Sequence, residues 1–479
     1  MSAAPWTHEG FEMVVGLEVH VELATATKLF SGSPNRFGDE PNTNIDPVTL
    51  GLPGALPVLN RQAVELAMRI GLALGCTVQE CVFARKNYFY PDMPKAYQIS
   101  QYDRPLNVDG RLDLPDGSSV GVERAHLEED TGKSTHIGGS GRIHGSEGSL
   151  IDFNRAGVPL VEIVSRPDIS SPDQARLYAS ELRAILVAVG ASDARMEEGS
   201  MRVDANVSVR RPGETLGTRC EIKNVNSVRS LGRAIDYEAR RQVALITAGE
   251  SIRQETRHWD EADGRTHTLR TKEDADDYRY FPEPDLVPVC PDAAWIEAVR
   301  SALPPLPAQR RRQLADATGQ AIDSEAVMTI VERGQDAYVH AVIAAGGTGD
   351  RALIHVKEAF AEAGVDPALP AATLASLIAM ETGGQLTATQ AKTVLADLIA
   401  DPDGDPVAIA ADRGFEAMAS DELESMVDAA IAADPDAWEK FCAGEGKAMG
   451  ALVGHVMKAS RGQADGKAVT ALLQARRPH

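Results

Sequence analysis

The sequence predicts an α+β protein, with a mixed α/β N-terminal body followed by an all-helical domain and a small helical tail. Three observations carry this. The segments 13–23 and 202–210 alternate apolar and polar residues with the period of two that marks a half-buried strand. The segments 60–75 and 171–190 open on a capping residue and close on glycine, with apolar residues three and four apart between them. From Asp292 onward an alanine-rich helical periodicity takes over. At 479 residues the chain exceeds what one core supports. Breaks near Pro291 and Asp403 divide it into 1–294, 295–404 and 405–479.

The elements follow in order. After Gly16, MVVGLEVHVEL puts Leu17, Val19 and Val21 on one face and Glu18, His20 and Glu22 on the other. Residues two apart on a strand lie about 7 Å from each other, so one cation or phosphate can touch Glu18 and His20 together. Lys28 to Leu59 is rich in Pro, Gly and Asn and reads as an ordered loop. A helix capped by Asn60 buries Ala63, Leu66, Ala67, Ile70 and Leu74. Arg85 to Pro105 then interleaves five Tyr or Phe with Lys86 and Lys95, a mixture that suits nucleotide bases or phosphate and suits a core almost equally.

Short apolar runs between Ser149 and Arg166, broken by Gly157 and Pro159, read as strands and turns. Ser171 caps a helix with Pro172 at its first position, which buries Leu177, Leu182, Ile185, Leu186 and Val189. In 202–210, Val203, Ala205, Val207 and Val209 face one way and Asp204, Asn206 and Ser208 the other. A turn leads to a second strand whose polar face carries Arg219, Glu221 and Lys223, and a helix follows over 227–249. DDYRYFPEPDLVPV, 276–289, has too many prolines for a regular element. DPDGDP at 401–406 reads as a linker, and Gly446, Gly450 and Gly454 recur at a spacing that lets helices approach closely.

A net charge of −22 argues against nonspecific nucleic-acid binding by the whole surface. The sign reverses locally: Ala408–Glu439 holds nine acids against one arginine, Lys440–His479 seven Lys or Arg against two acids. Five scattered cysteines, none spaced CxxC, read as reduced thiols of a cytoplasmic protein. No apolar run of membrane-spanning length and no secretory signal is evident.

Chemistry concentrates in RAHLEEDTGKSTH, Arg124 to His136, whose density of ionisable groups is costly to hold unless a metal or phosphate sits among them. Gly132-Lys133-Ser134-Thr135 imitates the end of a Walker A loop, but the first glycine of that pattern falls on Leu127. Without it the cradle of backbone amides is not specified, and a P-loop is rejected.

GLEVHVEL, RKNYFYPDMPKAYQISQ, HLEEDTGKSTH, MEEGSMRVDANVSVR, EIKNVNS, DDYRYFPEPD and GKAMGALVGHVMKASRGQA together resemble the GatB family of tRNA-dependent amidotransferase subunits over nearly the whole chain. The resemblance implies a cradle domain, a helical domain and a tail that grips tRNA. It implies a carbon–nitrogen ligase in which ATP phosphorylates the side-chain carboxylate of Glu-tRNA(Gln) or Asp-tRNA(Asn), and ammonia then displaces phosphate. It also implies two partners in a heterotrimer, a glutaminase subunit and a small third subunit, and no segment here resembles the amidase nucleophile region of the glutaminase. Glu18, His20 and Glu129, with Glu128 nearby, fall at the family's magnesium-binding positions, His20 being the less usual magnesium ligand. Lys86 and Lys95 match lysines at the pocket and the ammonia passage, and Asp204 and Glu221 complete the acidic pocket or a second metal site. Many members carry a zinc site of four cysteines. Ser31, Ser33, Asp46 and Thr49 stand there instead, so no zinc is expected. Two rivals remain: a tRNA-binding scaffold without chemistry, which five acids near a tRNA end disfavour, and a free-standing amino-acid kinase, which leaves the tail unexplained.

Overall fold

The computed structural model describes residues 4–138, 147–271, 278–361, 368–415, 420–460, 464 and 466–477. They fall into two compact units, Met1–Pro307 and Ala308–His479.

In the first unit the strands are β1 (Thr7–His8), β2 (Phe11–Glu22), β3 (Thr77–Val78), β4 (Phe83–Asn87), β5 (Tyr97–Gln101), β6 (Asn107–Asp113), β7 (Ser119–Glu129), β8 (Lys133–Ile137), β9 (Gly148–Asp152), β10 (Pro159–Ser165), β11 (Met201–Arg210), β12 (Cys220–Val225), β13 (Glu255–Asp260), β14 (Arg265–Thr271) and β15 (Phe281–Pro282). All but β8 and β9 share one sheet, in the order β14-β13-β12-β11-β2-β10-β7-β5-β4-β15, with β1 beside β2 and β6 joining β3 to β7. Every neighbour along this order is antiparallel except β12 and β13, which run parallel.

Alternation decides the two faces. Leu17, Val19 and Val21 of β2 and Val203, Ala205 and Val207 of β11 are fully buried in a core shared with α1 (Arg61–Ala73), α2 (Pro172–Ala188) and α3 (Val228–Thr247). Between these side chains, Glu18, His20, Asp204 and Asn206 point to the opposite face. Asn60 caps α1 by accepting from the amides of Gln62 and Ala63, and its own amide donates to the carbonyls of Thr27 and Lys28, tying loop to helix. Ser171 caps α2 and Ser227 caps α3. The loop over 28–59 contains no named strand or helix.

The hairpin β13–β14 is not foreseen from the sequence for a physical reason: much of its buried surface is polar. Thr256, Arg257 and Thr266 are buried there beside Trp259. Arg257 Nε donates to Thr266 Oγ1, which donates to the buried carboxylate of Glu238. A period-two search for apolar residues cannot see such a face. Of 276–289, Asp276 and Asp277 lie outside the described residues, and the rest holds only the two-residue β15.

The first unit runs past the composition change at Pro291. It keeps α4 (Ala293–Ser301), where Trp295 Nε1 donates to Glu65 of α1 and the Arg61 guanidinium lies 4.6 Å over the Trp295 ring.

The second unit is helical, from α5 (Pro307–Thr318), α6 (Glu325–Glu332), α7 (Asp336–Ala344), α8 (Gly349–Ala359), α9 (Ala371–Thr382) and α10 (Ala388–Ala400) through α11 (Pro406–Asp412), α12 (Ser420–Ala433), α13 (Pro435–Cys442), α14 (Gly446–Ala459) and α15 (Gly466–Ala475). Its described residues contain two cores, one from Leu314 to Ala410 and one from Val427 to Leu473. The segment expected to be a linker at 401–406 is a tight turn in which Asp405 caps α11. Ala410 then returns to the first of these cores. Among the described residues nothing packs closely on the glycine repeat of α14. A Cβ built at Gly446, Gly450 or Gly454 meets nothing within 4 Å, and the neighbouring Arg461–Gln463 and Asp465 lie outside the described residues. No described helix is long and apolar enough to cross a membrane.

Candidate functional site

The polar face of the sheet forms the wall of an open cleft of about 1500 Å³. Register builds its centre. In β10, PLVEIVS inserts one glutamate into an apolar run, and Glu162 lies opposite His20 of β2 on one side and His126 of β7 on the other. His20 Nε2 is 3.4 Å from Glu162 Oε2 and 3.6 Å from Glu128 Oε1, and His126 Nε2 is 3.6 Å from Glu162. One ligand atom from each of His20, Glu128 and Glu162 lies within 4.8 Å of the others. Glu18, opposite Asp204 across the β2–β11 pair, lines the same cleft and accepts from Asn206 Nδ2 at 2.9 Å.

Burial and charge pull these groups in opposite directions. Burial opposes the His20 imidazolium, yet the Glu162 hydrogen bond and charge, helped by Glu128 and Asp204, hold its pKa at about 9. Burial and the neighbouring Glu162 push Glu128 up to about 7. Burial also raises Glu18, with Glu162, Glu221 and Asp204 adding to it. Glu162 itself is held below the usual carboxylate range: burial opposes this, but His126, His20 and Lys86 outweigh it. His126 is pushed down to about 4 by burial, and its Nδ1 is buried with no hydrogen-bond partner among the described residues.

Glu128 and Glu129, adjacent in sequence, are separated by the pleat. Glu128 lines the cleft, whereas Glu129 faces the other side of β7, where Lys95 Nζ donates to its Oε1 at 2.5 Å and the Ile99 amide donates at 2.8 Å. The structure therefore does not bring Glu129 and Lys95 to the cluster. They form a buried ion pair, the side chains 3% and 6% exposed. Lys28, which no sequence pattern singles out, is buried near them, donates to the Phe153 carbonyl and is lowered to about 8 by burial. Gly51 has φ +66 and lies so close that an added Cβ would sit 2.6 Å from Lys95 Cγ, so glycine is required there for both reasons.

Asp204 and Glu221 do meet, through a cation. Lys223 Nζ is 2.6 Å from Asp204 Oδ2 and 3.0 Å from Glu221 Oε1, and Thr256 Oγ1 donates to the other oxygen of Glu221. Lys86 lines the cleft with Arg124, Arg202 and Arg219. Burial opposes the Lys86 charge, but Tyr280 and Glu128 keep its pKa above the ordinary lysine range. The Walker-like residues lie elsewhere: Lys133, Ser134 and Thr135 are exposed on β8, paired with β9, and form no phosphate cradle.

Ser31, Ser33, Asp46 and Thr49, the four positions where the resemblance led no zinc to be expected, also come together. Asp46 accepts from the Thr49 amide at 2.7 Å and is hydrogen-bonded by the side chains of Thr49, Ser31 and Ser33, which hold its carboxyl below its ordinary range against burial. The set offers no thiolate for zinc. The acidic cleft, by contrast, suits a hard divalent cation: burial, and then the charge of Glu162, raises both Glu18 and Glu128, and a cation would offset both effects.

Fold and site together define a cleft protein whose mixed sheet presents carboxylates, imidazoles and cations to one open cleft. Residues 13–297 match the family described as the GatB/GatE catalytic domain, and residues 356–476 match the GatB domain. The chain belongs to this family. It is 51% identical over 480 residues to the B subunit of the aspartyl/glutamyl-tRNA(Asn/Gln) amidotransferase of Salinispora tropica, covering 97% of this chain and 96% of that one. It is 50% identical to the protein of the same name from Mycobacterium sp. strain KMS, with the same coverage. Against the protein of that name from Mycobacterium tuberculosis the identity is 49%, covering 97% of this chain and 94% of the other.

Glu162 is a functional candidate that sequence patterns alone do not single out, and His126, although inside the Arg124–His136 stretch, receives no role of its own from them. The available signals are a lone acid inside an apolar strand and a histidine two residues before Glu128 on the same strand face.

Proposed function

We propose that this chain is the tRNA-handling, ATP-using subunit of an aspartyl/glutamyl-tRNA amidotransferase and works with a glutaminase subunit and a small third subunit. The γ-phosphoryl group of ATP passes to an oxygen of the side-chain carboxylate of Glu-tRNA(Gln) or Asp-tRNA(Asn), and ADP leaves. Ammonia from the glutaminase then attacks the acyl carbon, inorganic phosphate departs, and a proton is lost to give the amide. The observation that carries this reading is the cluster of His20, Glu128 and Glu162 in a cleft that also holds Lys86 and Arg202.

Glu18, Glu128 and Glu162 would hold Mg²⁺, with His20 beside them. When bound, the ion would neutralise phosphate charge on ATP. The chain's own contribution is positional. Lys86, Arg124 and Arg202 attract and orient phosphate, and the Lys223 bridge fixes Asp204 and Glu221 on the cleft wall. The buried Lys95–Glu129 pair, on the far side of β7, suits the route by which ammonia arrives. The core from Val427 to Leu473, with Lys447 and Lys458 on α14, suits the gripping of tRNA.

The test is Glu128→Gln and Glu162→Gln in the assembled complex. Each should lower tRNA-dependent ATP hydrolysis by about a hundredfold or more and leave glutamine hydrolysis measurable. ATP turnover at the parental rate in both variants would refute the cluster's role.

A further inference from the structure

The cleft has a second chemical region that the acidic cluster does not use. On the side of the cleft formed by β4, β5 and the segment after residue 277, its lining is aromatic. Tyr102 and Tyr280 stack with ring centroids 4.1 Å apart and planes 7° from parallel. Tyr278 meets Tyr280 edge-on at 6.1 Å. Phe89 follows, 68% exposed, with the Arg279 guanidinium 5.8 Å from its ring. All five residues line the cleft.

Tyr102 is 58% exposed although Tyr280 covers one of its faces, so its second face is open. Large aromatic rings held in a stack but left open to a cleft mark a ligand platform more than a core. The platform is also held in advance of any ligand. Asn87 Nδ2 donates to the carbonyls of both Tyr278 and Arg279, at 2.8 and 3.0 Å. Arg85 grips the buried Glu283 with two bonds, at 2.6 and 2.8 Å, just beyond the aromatic segment. Between these anchors Arg279 adopts φ +41, a left-handed conformation that costs a non-glycine residue about 1 kcal/mol or more and persists where surrounding contacts impose it.

Lys86 connects this region to the acidic one. Its Nζ lies 4.8 Å from the centre of the Tyr278 ring, and the side chain shares the cleft with Glu128. A carboxylate cluster fit for a cation, then a lysine, then an open pair of stacked rings is the order in which a nucleoside triphosphate presents metal-bound phosphates and base.

We propose that Tyr102 and Tyr280 form the stacking platform for the adenine base of ATP, with Lys86 spanning the distance to the phosphates. This rests on the reading that the cleft binds ATP. Stacking on an aromatic ring contributes about 1–3 kcal/mol per base, and tolerates different bases because every base has a π face.

The test uses the whole complex with its partner subunits. Tyr102→Ala should weaken ATP binding, measured by calorimetric titration with magnesium present, by roughly five- to a hundredfold. It should raise the KM for ATP by a similar factor and leave the KM for misacylated tRNA within twofold. Tyr102→Phe, which keeps the ring and loses only the hydroxyl, should bind ATP as the parent does. Triphosphate alone should bind Tyr102→Ala and the parent equally, since it has no base to stack. If Tyr102→Ala raises the KM for tRNA and spares that for ATP, the platform holds the acceptor end of the tRNA and the proposal is overturned. Unchanged ATP binding in Tyr102→Ala overturns it as well. A parent complex that binds no ATP would instead refute the functional reading beneath it.

Discussion

Glu238 illustrates how a single buried carboxylate can hold an element in place. It is fully buried on α3 and accepts hydrogen bonds from Arg241, Gln242 and Thr266. Burial alone would raise its pKa. The Arg241 bond and charge, with Gln242 and Thr266, overcome that and lower it. Because the folded-state value lies below the unfolded one, its stabilisation is present above pH ~4.5 and is lost as pH falls through the folded-state value. Replacing it by Gln removes the carboxylate that Arg241 and the buried Arg257 share, leaving Arg241, among the described residues, only the more distant carboxylate of Glu255 at 3.9 Å, and should cost roughly 3–5 kcal/mol at pH 7. Urea unfolding of parent and Glu238→Gln at pH 7 and near pH 3.5 should show the gap narrowing at the lower pH. A gap of constant size would mean that packing, not charge, is what Glu238 contributes. Glu128 and Glu129 carry the complementary lesson. Adjacent letters suggest one metal-facing pair, but neighbouring residues of a strand point apart, and only the strand's partners reveal which side is the cleft.

At the scale of elements, the hairpin β8–β9 and the helix α1 offer direct checks. Lys133 lies exposed on β8, away from the cleft lining, so Lys133→Ala should leave tRNA-dependent ATP hydrolysis within twofold of the parent. A loss of a hundredfold would revive the P-loop reading. Asn60 caps α1 and also ties down the loop at Thr27 and Lys28. Asn60→Ala should therefore lower stability by about 1–2 kcal/mol, at the upper end for a cap, read from its denaturation midpoint. Much of this is legible in the sequence. β2, β11, α1, α2 and α3 all follow from alternation, caps and helical spacing. The hairpin β13–β14 does not, because polar side chains fill much of its inward face, and Glu162 does not, because a lone acid in VEIV gains meaning only from the histidines that register brings alongside.

On the scale of the molecule, the second unit divides its described residues between two cores, and α11 sides with the first. Removing 416–479 should accordingly spare the core from Leu314 to Ala410. That truncation should raise the KM for tRNA in the reconstituted complex far more than the KM for ATP, and an equal rise in both would remove the tail from tRNA recognition. The larger dependence lies in the first unit. Glu162 meets His20 and His126 only because β10 is threaded between β2 and β7 in one register. The site thus obeys an odd–even rule. Deleting or inserting one residue within β10 would present Val161 or Ile163 to the cleft and turn the carboxylate into the hydrocarbon core, undoing chemistry and packing in one stroke. Length at this strand is therefore under tighter constraint than composition. A genetic screen of β10 should recover many substitutions at its apolar positions and no single-residue change in its length.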